Sequence, residues 1–385
     1  MQEMSYTKTQ PALKYLRKAF GLLGPTAVVA LACLPAVARD DHDRDGRYQQ
    51  VNLVSDVPGL AMIQDTNLVN AWGISFSPTS PFWISDNATG LSTLYSVTND
   101  SEGVVHVTKL GLEVSIPGEG NPTGQVFNHT PAFHGNPFIF ASEDGTISGW
   151  RGALGATAET LVTRSNAVYK GIAIGTNANG PLLLAADFSG GTVDAYDGNL
   201  NPVARFSDPD APVGYAPFNV QLVGGMIFVT FAKQDDRKHD DSPGQGHGLI
   251  AVLNPQTGMF HRFAAGSDAG GRLHQIDSPW GVALAPNGFG EQGDRLLVGN
   301  FGSGTIMAFD AHGRFRGLLK GGDGRPIAIE GLWGLAFGNG GRGGDTNKLY
   351  FTAGPAGESH GLFGSLEAIA EHEHRHGHGH GEDHD

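Results

Sequence analysis

The sequence has one cysteine in 385 residues, Cys33, so it cannot carry an internal disulfide framework. Charged residues are scarce, at 17%, and acids outnumber bases by 39 to 25. With a net charge of −14 and no clustered basic face, a nucleic-acid-binding surface is not expected. Helical spacing of apolar residues is nearly absent beyond residue 38, and no later apolar run is long enough to span a bilayer. There is no phosphate-binding loop. The stretches "GSGTIMAF" and "GFGEQG" are turn glycines with no helix to follow them. What the chain has in quantity is glycine, 58 residues without a collagen-like period, which points to many tight turns between short strands.

The N-terminus reads as an export signal. Lys8, Lys14, Arg17 and Lys18 precede the apolar run "AFGLLGPTAVVALACLPAVA", which ends in the small-x-small site Ala36-Val37-Ala38. Residues 1–38 are therefore expected to be removed, leaving a protein exported to the periplasm or beyond. Their loss takes away four bases and one acid and deepens the net charge to −17. It also removes Cys33. The stretch Ala30-Leu31-Ala32-Cys33 loosely resembles a lipoprotein cleavage box, so a lipid anchor through Cys33 is the alternative. Residues 39–47 form a polar lead-in.

One pattern recurs along the remaining chain. A Trp-Gly or Gly-apolar start opens a short apolar strand. A turn and a second strand ending in Asp, Asn or Glu follow, then a glycine-bearing turn and a third strand. "NAWGISFSP…FWISDNATGLSTLYSV", "YKGIAIGTNANGPLLLAADFSGGTVDAYDG", "SPWGVALAPNG…RLLVGNFGSGTIMAFDAHG" and "GLWGLAFGNG…KLYFTAGPAGESHGLFGSLEA" fit well. Residues 137–150 and 218–258 fit more loosely. The six units have anchors at Gly73, Val126, Gly171, Val220, Gly281 and Gly334, spaced by about the length of a four-stranded propeller blade. The expected fold is all-β: a six-bladed β-propeller over residues 48–370, with Trp, Phe and aliphatic side chains filling the gaps between blades. The last unit lacks an outer strand, and "YQQVNLVSDV", residues 48–57, is strand-like and unpaired. It is expected to close the ring as the outer strand of the last blade.

In such a ring, the start of each inner strand and the end of the second strand meet at one face. Asp86, Asn87, Glu143, Asp187, Asn219 and Asn300 fall at these positions, beside Asn70, Lys170, Gln234, Asp235, Trp280 and Trp333. Two readings follow. Asp and Asn before glycine cap their own turns. Alternatively, a ring of oxygens around the channel holds Ca²⁺ or another divalent cation, which takes six to eight such ligands, or a polar substrate. His134, His274 and His360 could reach the same face.

The C-terminal stretch "EHEHRHGHGHGEDHD", residues 371–385, has no apolar residue to bury and is not expected to fold. Its imidazoles, His372, His374, His376, His378, His380 and His384, suit Zn²⁺, Ni²⁺ or Cu²⁺ without a preset geometry.

"YQQVNLVSDVPGLAMIQDTNLVNAWGISFSPTSPFWISDNATG", "FIFASEDGTISGW", "SPWGVALAP", "LLVGNFGSGTI" and "GPAGESHGLFGSL" together resemble an uncharacterised family of exported bacterial proteins associated with the PEP-CTERM sorting system. The resemblance runs from Tyr48 to Leu366 and implies export and a propeller-like domain, with no established reaction. The chain departs from the sorting-signal members. It lacks the Val-Pro-Glu-Pro motif, the terminal apolar span and the basic end. More distantly, the blades resemble NHL repeats and gluconolactonase-like propellers, which implies lactone hydrolysis with a channel cation held by Glu, Asn and Asp. The sequence thus supports a monomeric binding module for a protein or polysaccharide, using its acidic face or the polar loop "KQDDRKHDDSPGQGHG". A metal-dependent hydrolase of the lactonase type is the alternative.

Overall fold

The computed structural model describes residues 46–265 and 275–369. The expected signal peptide with Cys33, most of the lead-in, His274 and the histidine tail lie outside the described residues. Within them the chain is all-β, with three short 3-10 turns as its helical content. No described helix is long and apolar enough to cross a membrane.

Six antiparallel sheets are strung along the chain as six blades. The inner strands are Ala71–Ser75, Pro122–Phe127, Tyr169–Asn177, Tyr215–Val223, Pro279–Leu284 and Leu332–Phe337, of blades 1 to 6 in order. Within blades 1 to 5 the four main strands pair in sequence order, as up-and-down meanders, and in blade 1 the short strand Val114–Ser115 adds to Leu91–Asn99. Blade 6 takes its outer strand from the N-terminus, as the sequence led us to expect. Arg47–Ser55 pairs antiparallel with Leu362–Ala368, from Tyr48 opposite Ala368 to Ser55 opposite Leu362. The ring is thereby closed by hydrogen bonds between the two ends of the domain, and the outer side of Leu362–Ala368 is covered.

Apolar side chains fill every gap between blades. Trp83, Leu94 and Phe140 lie between blades 1 and 2; Ile139, Tyr169 and Leu183 between 2 and 3; and Leu184, Val220 and Val229 between 3 and 4. Similar clusters occupy the three remaining gaps. These are the sheet-on-sheet layers that alternating strands of this composition are bound to form.

The repeated dipeptide has a distinct task. Each inner strand carries a β-bulge at the same level, at Trp72-Gly73, Thr123-Gly124, Lys170-Gly171, Phe218-Asn219, Trp280-Gly281 and Trp333-Gly334. The glycine is needed for close approach. A Cβ on Gly73 would lie 2.4 Å from the Thr123 carbonyl oxygen, one on Gly124 2.8 Å from the Gly171 Cα, and one on Gly281 2.5 Å from the Trp333 carbonyl oxygen. Adjacent inner strands thus touch backbone to backbone around the axis. The structure also corrects two anchors: the second and fourth blades place Gly124 and Asn219 at this level, not Val126 and Val220.

The residue before the glycine also departs from expectation. Trp72, Phe218, Trp280 and Trp333 do not fill gaps between neighbouring blades. They form a seventh cluster with Phe188 on the axis itself. Trp72 stacks on Trp333 at 3.7 Å, Phe301 stacks on the other side of Trp333 at 4.0 Å, and Trp280 meets both indoles edge-on at 6.3 and 6.0 Å. Phe218 of blade 4 reaches Trp333 of blade 6 at 5.8 Å, a contact that skips blade 5 and spans the axis. The central channel is therefore plugged at the bulge level by aromatic rings, with a polar mouth on one side and an apolar recess on the other.

Candidate functional site: the polar mouth above the aromatic plug

The mouth is organised by one cation. Lys170 occupies the bulge position that tryptophan holds in three other blades. Its ammonium lies 5.2 Å from the centre of the Trp72 ring, close enough for a cation–π contact. It donates to Glu143 of blade 2 and, at 3.2 Å, to Asp240 of blade 4. The side chain is 2% exposed. Burial pulls its pKa down, but the charges of Glu143 and Asp240 outweigh that and hold the ammonium above the ordinary lysine range.

From Lys170 a hydrogen-bonded chain runs around the mouth. The Glu143 carboxylate accepts from Asn87 Nδ2 at 3.1 Å. Asn87 Oδ1 accepts from Asn70 Nδ2 at 3.1 Å, and that same Nδ2 donates to Glu358 Oε2 of blade 6 at 2.7 Å. Asn70 Oδ1 accepts from the Trp333 indole at 3.0 Å, and the Trp280 indole donates to the Lys170 carbonyl at 3.1 Å. The polar network is thus bolted to the plug beneath it. Burial raises the pKa of the Glu358 carboxyl, while the Asn70 hydrogen bond and the Lys170 charge pull the other way.

The polar loop between Lys233 and Gly248 arches over this mouth. Gln234 bridges to Asp241 as a short hairpin, and its amide donates to the Phe188 carbonyl of blade 3 at 2.6 Å. The Gly244 N–H donates to Asp277 Oδ1 beside blade 5 at 2.7 Å. The loop delivers Asp240 to Lys170 and places half-exposed His239 against Asp240, with Nδ1 2.9 Å from its carboxylate. Burial pushes the Asp241 carboxyl up to about 6, although the nearby Ser278 hydroxyl and Lys170 act to lower it. Backbone strain collects in the same place. Asn70, Ser278, Ala356 and Glu358, all around the mouth, hold φ between +47° and +67°, a region costly for residues with a Cβ.

The six residues singled out from sequence separate here. Asn87 and Glu143 converge at the mouth. Asp86 does not: it is fully buried against Thr93, near Asp65 and Lys109, and desolvation raises its carboxyl well above the usual range. Asp187 turns back on its own loop, accepting from the Gly190 and Val168 N–H groups at 2.8 and 3.2 Å. Asn300 does likewise, accepting from Asp277 N and donating to Thr305 Oγ1. Asn219 sits in the close-approach position of blade 4 and donates to the Trp280 carbonyl at 2.9 Å. For Asp187 and Asn300 the turn-capping reading describes what the side chains do.

The histidines divide similarly. His134 belongs to the opposite face, 3.6 Å from Glu159. His360 stands near the mouth but points away, with Nδ1 2.7 Å from Asp56. Gly357-Glu358-Ser359-His360-Gly361 has the Gly-x-Ser-x-Gly spacing of a nucleophile elbow, yet it leads into the strand Leu362–Ala368 and not into a helix. Its Ser359 hydroxyl donates to the Ala356 carbonyl. A His-Glu-x-x-His spacing at His372 to His376 lies in the tail, outside the described residues. Glu358 was not among the predicted site residues, and His239, Asp240 and Asp241 entered only as part of the polar loop, with no role of their own. The available signal was Lys170, a lysine written where the repeat elsewhere writes tryptophan.

Glu143, His239 and Asp240 offer three ligand atoms within 4.8 Å of one another. Both carboxylates of this trio already bind the Lys170 ammonium. A hard cation here would have to displace an internal one and then find several more oxygens, because Ca²⁺ takes six to eight. The residues present do not fit that ion.

No family model matches this chain. An uncharacterised protein of Acanthamoeba polyphaga mimivirus, R648, is 29% identical over 336 residues, covering 82% of this chain and 78% of the relative. This relative is viral, whereas the resemblance drawn from the sequence pointed to bacterial proteins. Among solved structures, a streptogramin B lyase is similar at a TM-score of 0.45 and 10% identity, over 84% of this chain and 98% of that one. The gluconolactonase XC5397 of Xanthomonas campestris is similar at 0.44 and 13%, over 79% and 88%.

Proposed function

We propose that this protein is an exported propeller that works by binding, and that its polar mouth takes a cationic group presented by a polysaccharide or protein partner. One observation carries the reading: four carboxylates, Glu143, Asp240, Asp241 and Glu358, gather around one buried cation, Lys170, and the only other fixed cation paired with them among the described residues is the exposed Arg237, which reaches Asp240 from outside at 3.6 Å. Two of the four have raised pKa values, as acids do in a desolvated site short of positive charge. An incoming ammonium would relieve that deficit. The strained backbone and the arched loop hold these groups in place before the partner arrives, which lowers the ordering cost of binding. Export is supported by the N-terminal signal pattern, with lipid attachment through Cys33 as its alternative.

The test is calorimetric titration of residues 39–370 with a glucosamine oligomer and with its N-acetylated form. Binding of the free amine alone, weakened by added salt and by Glu358→Gln, is the expected result. Equal binding of both forms, or of neither, refutes the cationic reading.

The metal-dependent hydrolase reading draws on Glu143, His239 and Asp240, and Lys170 weighs against it. Metal analysis of residues 39–370 separates the two, since a stoichiometric tightly held ion in the mouth would favour the hydrolase. A capture role for the histidine tail is independent of both: deleting residues 371–385 is expected to abolish tight Zn²⁺ or Ni²⁺ binding.

A further inference from the structure

The aromatic plug leaves a second recess on the far side of the channel, which the binding reading above does not use. It is a cavity of about 280 Å³, just under the usual range for small-molecule sites. Its floor includes Trp280, and its walls come from the lower ends of the inner strands of blades 1, 2, 3, 4 and 6. Ile74, Phe76, Val126 and Phe127 stand half-buried along this wall, and Leu222 at the lip is 46% exposed. Apolar surface is thus left open to water inside a concavity, where a ligand could remove it from solvent.

The wall is preformed. Phe76 is held edge-on against Phe82 at 5.3 Å, and Phe127 tilts on Phe138 at 5.6 Å, so both rings are fixed by side chains outside the cavity. The wall also carries unmet polar capacity. The Gln221 carboxamide oxygen accepts from Asn219 Nδ2 at 3.4 Å and from Val282 N at 3.3 Å. That orients the amide and leaves its NH₂ with no hydrogen-bond partner among the described residues. Ser75 Oγ and Gln125 Oε1, in the same wall, are buried and likewise without a partner. A narrow apolar recess with one oriented donor is the usual composition of a small-molecule site.

We propose that this lower recess is a binding site for a small molecule with an apolar body and one hydrogen-bond-accepting oxygen, which Gln221 Nε2 addresses. The size limits the guest to about a single substituted ring. The two ends of the channel would then serve different chemistries, cationic at the mouth and apolar at the recess, with the plug keeping them apart.

Acetophenone and ethylbenzene are suitable probes, because they share a ring and nearly a shape but only the first has an acceptor. Ligand-observed NMR titration of residues 39–370 should show saturable binding of acetophenone. Ala336→Phe, which fills the recess from its wall, should weaken it at least about ten-fold. Gln221→Leu should weaken acetophenone by roughly five-fold and leave ethylbenzene nearly unchanged, as expected for one hydrogen bond. Leu222→Asp, at the exposed lip, provides a variant whose folding is not at risk and should also weaken both probes. Glu358→Gln, in the mouth, should change neither, which separates this proposal from the one above. Non-saturating binding of both probes, or affinity unchanged by Ala336→Phe and Leu222→Asp, overturns it.

Discussion

Replacing Lys170 by methionine tests the account of the mouth most directly. The substitution keeps an unbranched apolar stem over Trp72 and removes the charge. Glu143, whose side chain is 12% exposed, is then left without its cation, while Asp240, at 51%, remains screened by water. Breaking a buried pair from one side costs about 3–5 kcal/mol, because the remaining charge is uncompensated. Since Asp240 adds little, Lys170→Met is expected near the lower end, about 3 kcal/mol, read as a drop in the urea midpoint at pH 7. The double variant Lys170→Met/Glu143→Gln removes the stranded charge and should return to within about 1 kcal/mol of the parent. The sign with pH follows from the direction of the lysine shift. Its pKa is raised in the fold, so its contribution is complete below the unfolded value of about 10.4 and fades only as the pH climbs through the higher folded value. The parent should therefore hold its full advantage at neutral pH and lose it in alkali. A Lys170→Met variant within about 0.5 kcal/mol of the parent at pH 7, or a double variant no more stable than the single one, would refute the reasoning.

Asp241 behaves in the opposite sense. Its carboxyl is pushed up to about 6, so its penalty is absent below about pH 4, grows between pH 4 and 6, and is constant above. Asp241→Asn should gain about 1–3 kcal/mol at pH 7 and almost nothing at pH 4, by urea unfolding across that range. Gly73→Ala drives a methyl into the Thr123 carbonyl at 2.4 Å and should cost about 1–3 kcal/mol, whereas Gly111→Ala, with nothing within 4 Å, should be close to neutral in the same thermal scan. Starting the chain at residue 57 removes the closing strand, with the 4.6 Å Tyr48–Phe289 stack and the Tyr48 hydroxyl bond to the Phe289 carbonyl. Size-exclusion chromatography should show oligomers formed through the exposed edge of blade 6, and a well-behaved monomer would contradict that role for the strand.

The architecture was written plainly in the sequence. Short Val-, Ile-, Leu- and Phe-rich runs bounded by glycine can form little but small antiparallel sheets, and their spacing counts the blades. The unpaired strand near Tyr48 follows from the same accounting, since the last blade was one strand short. These are local properties, carried by the period of side chains and the chemistry of turns. The convergence of side chains was not local. Asp86, Asp187 and Asn300 occupy equivalent positions in their blades, yet none of them joins the mouth network. Asp187 and Asn300 take the partners their own loops supply, and Asp86 is sealed in its blade gap with neither carboxylate oxygen hydrogen-bonded among the described residues. Glu358 meets Asn70 across 288 residues, and Asp240 meets Lys170 across 70. Ring closure and an arched loop bring them together, and neither can be read from a repeat. The same limit hid the plug. Three Trp-Gly pairs announced a shared position, but only the bulges turn the indoles inward, and only the closed ring brings them into contact on the axis. The sequence alone specified the blades and their order. The tertiary structure decided that the axis is sealed, that Lys170 gathers the acids above the seal, and that an apolar recess lies below it. That division arises because strand period and turn chemistry act over a few residues, whereas channel contents depend on where six separate strands point once the circle is closed.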